Sequence, residues 1–269
     1  MQINNKSNNK FKIIHLKTTI STNMDCIELG KEGKRNIVVV SDIQTKGKGR
    51  LNRLWYSNYG GLYFSMLLDI KDIKVEQINF MASLSIVDTL NNYSTKDFGT
   101  VGGQKPKVFG IVGRQKPKVF GIKFPNDIIV KNNHSTDYKK ISGILGEINL
   151  NYGFVVVGIG ININNTIDAE IKDIATSLKE IEGKEFNKQE ILNVFINNFN
   201  KYKELTEKEI LNKYKEYSAT IGEKVKIITP NNEIIGIVQD IDFNGLYLKT
   251  DDNVIKNISV GDCIHLRKK

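Results

Sequence analysis

The stretch "TKGKGRLNRLW" at 45–55 sets Lys46, Lys48, Arg50 and Arg53 around Gly47 and Gly49 and closes on Trp55. So many cations in one short run cannot all be buried. Glycines let backbone N–H groups approach an anion closely. Arginine can grip a phosphate through two parallel bonds, and lysine supplies a point charge. Trp55 adds an apolar plate. Gln44 ends the β-branched run "NIVVVSDIQ", so its side chain can face a pocket. Such a set suits a phosphorylated small ligand or a nucleic acid. A solvated surface loop is the third reading, and residue types alone leave it open.

A second group lies in "GIKFPNDIIV". Lys123 ends an apolar run just before a Pro-Asn-Asp turn, so it either snorkels to water or is aimed at a negative charge. Asn126 and Asp127 read as turn formers. "GIGININ" at 158–164 lacks the third glycine of a dinucleotide fingerprint. Its glycines instead permit close approach of a ligand or a neighbouring backbone. Asn162, whose amide both donates and accepts, could read a base edge. His15, His134 and His265 suggest no triad, and neither HExxH nor paired-cysteine spacing occurs. If the chain is an enzyme, it works by positioning and charge neutralisation without a protein nucleophile.

These groups need a scaffold. The 269 residues suffice for a large domain and a small one. The net charge of +9 favours anionic partners but says nothing of fold. Cys26 and Cys263 are the only cysteines, which predicts free thiols in a reducing cytoplasm. No signal peptide or membrane span is read from the sequence. Residues 1–10 are expected to be a disordered lead-in. "FKIIHLKTTI" and "GLYFSMLLDI" read as strands, and "STN" at 21–23 as the cap of a helix from Met24 to Gly30. Helical spacing covers 75–93 and 188–202, the latter with Asn187 and Glu190 at capping-box distance, and a charge-rich helix covers 206–218. "KKISGILGEINL" and "FVVVGIGININ", joined by "NYG", predict a hairpin. From Glu223 short strands take over, which places a boundary near 220 and a small all-β domain after it.

Residues 101–122 are a tandem repeat, "VGGQKPKVFGI" followed by "VGRQKPKVFGI". Two copies are too few for a solenoid. The second copy is expected to form the strand into Lys123 and the first an inserted excursion.

Taken in order, "STN", "QTKGKGRLNRLW", "LYFSMLL", "KFPND", "KKISGILGE", "GIGIN" and "GEKVKI…GDCIHLR" resemble biotin–protein ligase over nearly the whole chain. The resemblance implies an α+β fold. A catalytic domain at 11–219, like that of class II aminoacyl-tRNA synthetases, has a mixed sheet with helices, and an SH3-like barrel follows at 220–269. It implies that biotin and ATP form biotinyl-5′-AMP with Mg²⁺ assisting, and that the biotin then passes to a lysine of a biotin carboxyl carrier domain. By position, Ser21, Thr22, Asn23, Gln44, Lys48, Gly49, Arg50 and Lys123 match the biotin side. Lys48, Arg50, Arg53, Trp55, Lys123, Asn162 and Arg267 match the adenylate side, with Lys123 and Arg50 in the catalytic roles and no metal-ligand motif in the protein.

The chain departs from that pattern at Lys48, Leu51, Asn52 and Phe124, and in carrying the repeat. Asn52 stands where glycine is usual and is expected to keep a left-handed conformation. The regulatory members' DNA-binding domain has no counterpart before Phe11, so no DNA partner is expected; monomer and homodimer both stay open. Two rivals remain. A lipoate–protein ligase would share the fold, but its "RRxSGGG" stretch is missing. A basic nucleic-acid-binding protein would interleave aromatics along the last strands, where Tyr247 stands alone after Phe243.

Overall fold

The computed structural model of the chain describes residues 11–94, 120–131, 138–229, 232–259 and 261–266. The lead-in at 1–10, the first copy of the repeat, most of the second copy, His134 and Arg267 lie outside the described residues.

A seven-stranded sheet carries the larger part of the chain. Its strands are β1 (Lys12–Thr19), β2 (Ile37–Gln44), β3 (Leu62–Asp69), β4 (Phe120–Lys123), β5 (Asp127–Lys131), β6 (Tyr138–Asn149) and β7 (Phe154–Ile161). The spatial order is β1-β2-β3-β7-β6-β5-β4. Only β1 and β2 run parallel, with the helix α1 (Thr22–Lys31) as their crossover; every other pairing is antiparallel. β3 and β7 sit at the centre, buried on both faces, which explains their almost unbroken apolar runs.

Alternation sorts side chains between the two faces. Val38 and Val40 of β2 point into the main core, while Ile37 and Val39 join Cys26, Leu67, Phe154 and Val156 under α1. The main core is covered by α2 (Ile78–Tyr93) and α4 (Lys188–Lys203), with α5 (Glu207–Tyr217) packed on α2 and the short α3 (Leu178–Glu182) between them in sequence. Helix α2 lies between sheet and helices and is buried nearly all round. Its Ser85 and Thr89 hydroxyls donate to the carbonyls of Met81 and Ser85, which removes the cost of burying them.

Local signals differ from the expected ones in two places. Ser21 occupies the N-cap position of α1, but its side chain makes no capping bond, and the Thr22 N–H is taken by Gln44 instead. Asn187 does cap α4, accepting from the N–H groups of Gln189 and Glu190. The reciprocal capping box, however, belongs to Thr206 and Glu209 at the start of α5.

After Tyr217 the chain forms β8 (Lys224–Ile228), β9 (Glu233–Asp242), β10 (Gly245–Lys249), β11 (Ile255–Ile258) and β12 (Asp262–His265). They make an antiparallel sheet in the order β11-β10-β9-β8-β12, and among the described residues no ladder closes β11 onto β12. Its apolar face is continuous with the main core; Phe243 meets Phe80 of α2 edge-on at 4.8 Å between ring centres. The small sheet is thereby held against the large one by burial, so β12 has a defined position beside β4 and the glycine loop. No helix among the described residues is long and apolar enough to cross a membrane.

Candidate active site

A cavity of about 1380 Å³ opens between the N-terminus of α1, the strands β6 and β7, the glycine loop and β12. Ser21, Thr22, Asn23, Gln44, Lys48, Gly49, Arg50, Arg53, Trp55, Lys123 and Asn162 all line it. Residues up to 141 positions apart in sequence therefore meet at one place; Arg267 lies outside the described residues.

One end of the cavity is a half-buried chain of hydrogen bonds. The Thr22 N–H donates to Gln44 Oε1 at 2.8 Å, and Gln44 Nε2 donates to Ser57 Oγ at 2.9 Å, which fixes the direction of the Gln44 amide. Ser57 Oγ then donates to the Trp55 carbonyl. On the other side Ser65 Oγ donates to Asn23 Oδ1 at 2.6 Å, and Asn23 Nδ2 donates to Glu147 Oε2 at 2.5 Å. Thr22 Oγ1 joins the two halves, 3.1 Å from Gln44 Oε1, to which it donates, and 2.7 Å from Ser65 Oγ. Sequence reasoning missed Ser57, Ser65 and Glu147. The available signal was Ser65, the one serine in the run "LYFSMLL", since a fully buried polar group in an apolar strand must have partners. Glycine is required at 158, because a Cβ there would overlap the Asn23 amide.

The glycine loop folds back on itself. Lys48 bridges Leu54, the Gly49 N–H donates to the Arg53 carbonyl at 2.7 Å, and the Trp55 N–H donates to Gly47. Asn52 is left-handed at φ 58°, as expected for the residue replacing glycine. Leu51 is left-handed as well, at φ 54°, with its side chain 67% exposed; that conformation was not read from sequence. Lys48 is exposed, whereas Arg50 reaches Asn126 Oδ1 at 3.5 Å and the Gly261 carbonyl at 3.1 Å. Arg53 pairs with Asp262.

Trp55 packs against Gly143 of β6 and Gly160 of β7, where a Cβ on either glycine would press on the indole. Its Nε1 is buried without a hydrogen-bond partner. Above the ring, 5.1 Å from its centre, stands the ammonium of Lys140, which also pairs with Asp127 Oδ1 at 2.6 Å. Lys140 was not singled out from sequence, and Asp127 does more than form a turn: it starts β5 and holds that lysine. Lys123, expected at the reacting centre, lies on the β12 side, where its charge bears on Cys263 and His265. Of the lysines that line the cavity, Lys140 is the one that stands over the Trp55 ring.

Asn162 lines the cavity but is buried with its amide engaged at both ends. Nδ2 donates to the Thr176 carbonyl and Oδ1 accepts from Asn165 Nδ2, each at 3.1 Å. These bonds use one N–H and one lone pair of the Asn162 amide and orient it, leaving one of each. The buried acceptor without a partner is its neighbour's, Asn165 Oδ1. Among the described residues no cluster of three or more His, Cys, Asp or Glu could hold a metal ion.

His265 also belongs to the cavity wall, though the histidines suggested nothing in the sequence. The Phe124 N–H donates to Thr220 Oγ1 at 3.0 Å, and that hydroxyl lies 3.1 Å from His265 Nε2. The tautomer of the imidazole sets which of the two donates. Burial first, and then the Lys123 charge, push His265 down to about 4, against a smaller opposing effect of Glu223. Unfolded histidine titrates near 6.5, so between the two values the unfolded chain binds more protons. Stability attributable to His265 is intact above about pH 6.5 and falls as pH drops towards 4, by an amount on the order of 3 kcal/mol. In urea titrations His265→Gln is expected to lose that slope between pH 6.5 and 4; a wild-type slope in the variant would clear His265 of the effect. Cys26 and Cys263 are free and buried, and burial pushes both thiols up to about 12. Neither is a nucleophile at neutral pH.

Residues 15–164, more than half of the chain, match the Biotin/lipoate A/B protein ligase family, and residues 220–266 match the Biotin protein ligase C terminal domain. The biotin protein ligase of Aquifex aeolicus, solved with biotin and ATP, is 32% identical, superposes with a TM-score of 0.74, and is covered over 99% of its length by 95% of this chain. The Bifunctional ligase/repressor BirA of Bacillus subtilis is 30% identical over 238 residues, which are 84% of this chain and 65% of that protein. This chain thus spans just under two thirds of the bifunctional relative. The Biotin--[acetyl-CoA-carboxylase] ligase of Mycobacterium tuberculosis is 25% identical over 93% of this chain and 87% of its own. With the site's geometry, these matches show that the chain belongs to the Biotin/lipoate A/B protein ligase family.

Proposed function

We propose that this protein is an ATP-dependent biotin–protein ligase. The observation that carries the reading is the continuity of one cavity from the half-buried Thr22–Gln44–Ser57 network to Trp55, over whose ring Lys140 stands. A bicyclic urea needs fixed donors and acceptors at its far end, which Thr22, Asn23, Gln44 and the Ser65 hydroxyl behind them supply. Its carboxylate then extends towards Lys140 and the indole. MgATP enters as a substrate, with the adenine against Trp55 and the phosphates towards Lys48, Arg50 and Lys123. A carboxylate oxygen attacks the α-phosphorus, the bond to the β-phosphate breaks, and biotinyl-5′-AMP and pyrophosphate form. The amine of a lysine on a biotin carboxyl carrier domain then attacks the acyl carbon. An amide forms, AMP leaves with the electron pair, and the amine loses a proton. The chain's residues bind, orient and neutralise charge; none forms a covalent intermediate. Free buried thiols fit a reducing cytoplasm.

Lipoate is the rival substrate. Its dithiolane cannot satisfy Thr22, Asn23 and Gln44, and a site built to hydrogen-bond rejects a ligand that leaves its polar groups unpaired. The test is incubation of the purified protein with MgATP and either labelled biotin or lipoate. Pyrophosphate release with biotin, and transfer of label to a carrier-domain lysine, are expected. Release with lipoate alone would overturn the substrate, and nucleic-acid binding with no release would overturn the enzyme.

A further inference from the structure

The glycine loop has little of its own to hold it across the cavity. Its internal bonds are the Lys48–Leu54 bridge and the backbone contacts Gly49–Arg53, Arg53–Arg50 and Trp55–Gly47, and its tip, Leu51 and Asn52, is left-handed and exposed. Besides the 3.5 Å bond from Arg50 to Asn126, what spans the cleft is a pair of contacts to the small sheet. Arg50 donates to the Gly261 carbonyl, and Arg53 pairs with Asp262, whose side chain is only 14% exposed. The receiving side is stiff. Asp262 opens β12 in register with Ile228 of β8, and at the other end of the strand the Leu266 N–H donates to Lys224. His265 ties the same strand to Thr220, and Thr220 to the Phe124 backbone beside the site. Gly261 sits at φ 153° against Ile227, which leaves the backbone there no room for a side chain.

The geometry points to Asp262 as a positioning residue and to Arg53 as its partner in a latch rather than a nucleotide ligand: the small sheet holds the glycine loop shut over the adenylate so that the intermediate is not lost before the carrier arrives. The inference rests on the ligase reading but acts at a step of its own, retention. Arg53 is 65% exposed, so the pair is worth what half-exposed ion pairs are worth, roughly a two- to fivefold change in loop opening.

Two readouts test it. In the absence of ligands, trypsin is expected to cut after Arg50 or Arg53 two- to fivefold faster in Asp262→Asn than in wild type, a measurement that holds whether or not the chain is a ligase. With biotin and MgATP and no acceptor, Asp262→Asn is expected to release biotinyl-5′-AMP faster by a similar factor, with little change in the KM for biotin. The charge-swapped variant, Arg53→Asp with Asp262→Arg, lacks the site after Arg53 and is expected to restore the wild-type rate of cleavage after Arg50 and the wild-type release of the adenylate. Cleavage in Asp262→Asn at the wild-type rate, or a swap that rescues neither readout, would overturn the latch. Absence of pyrophosphate release from the wild type would count against the ligase reading alone, since the proteolysis result would still decide the latch.

Discussion

Lys140→Gln is expected to fold normally and to lose about a hundredfold in biotin-dependent pyrophosphate release, the effect of removing a fixed charge worth on the order of 3 kcal/mol at the transition state. The first step brings a carboxylate against a triphosphate. In a closed cavity water screens the two anions poorly, so a cation already in place is needed where they meet. Lys140 is in place: Asp127 holds its ammonium at 2.6 Å and the Trp55 face lies beneath it. Lys123 lines the same cavity on its β12 side. Lys123→Gln is accordingly expected to cost less than Lys140→Gln. Should Lys140 serve only to pair with Asp127, the variant would lose stability and keep its turnover. Pyrophosphate release and urea unfolding, measured on both variants, separate these outcomes; near-normal turnover in Lys140→Gln would remove it from the chemistry.

The second large effect is expected from one added methyl group. In Gly160→Ala the Cβ would overlap the pyrrole edge of Trp55, and the indole must leave its shelf. Gly160 is not at a positive φ, so alanine is acceptable to the backbone, and β7 keeps its ladders to β3 and β6. The loss should therefore fall on the nucleotide. Stacking of a base on an aromatic ring is worth about 1–3 kcal/mol, which corresponds to roughly a ten- to hundredfold rise in the KM for ATP. Trp55 is the only tryptophan in the chain, so its emission reports the displacement directly. A red-shifted emission with an unchanged KM for ATP would show that the indole moves but does not carry the nucleotide. A biotin affinity that falls as far as that for ATP would show that the shelf serves the whole cavity.

Much of this architecture is written locally. The strand runs, the "NYG" hairpin between β6 and β7, and the amphipathic spacing of α4 depend on side-chain period and turn chemistry within a few residues of one another, and a single sequence displays both. The left-handed Asn52 was legible for the same reason, as a property of one residue. The glycines at 158 and 160 were legible as places of close approach, but not what approaches. That depends on Asn23 and Trp55 arriving from other elements. Ser57, Ser65 and Glu147 escaped notice because a hydroxyl or carboxylate gains its role from partners that can be over a hundred positions away. Lys140 and Lys123 are alike by type and strand context; only the sheet's register puts one over the indole and the other beside β12. The partners that orient the Asn162 amide, the Thr176 carbonyl and the Asn165 side chain, are likewise set by the fold. His265 is an ordinary histidine until burial and a neighbouring lysine discharge it. Local periodicity is encoded residue by residue and so determined the elements. The cavity depends on distances between elements, which are set when the two sheets bury a common apolar core, and so only the tertiary structure decided which side chains meet there.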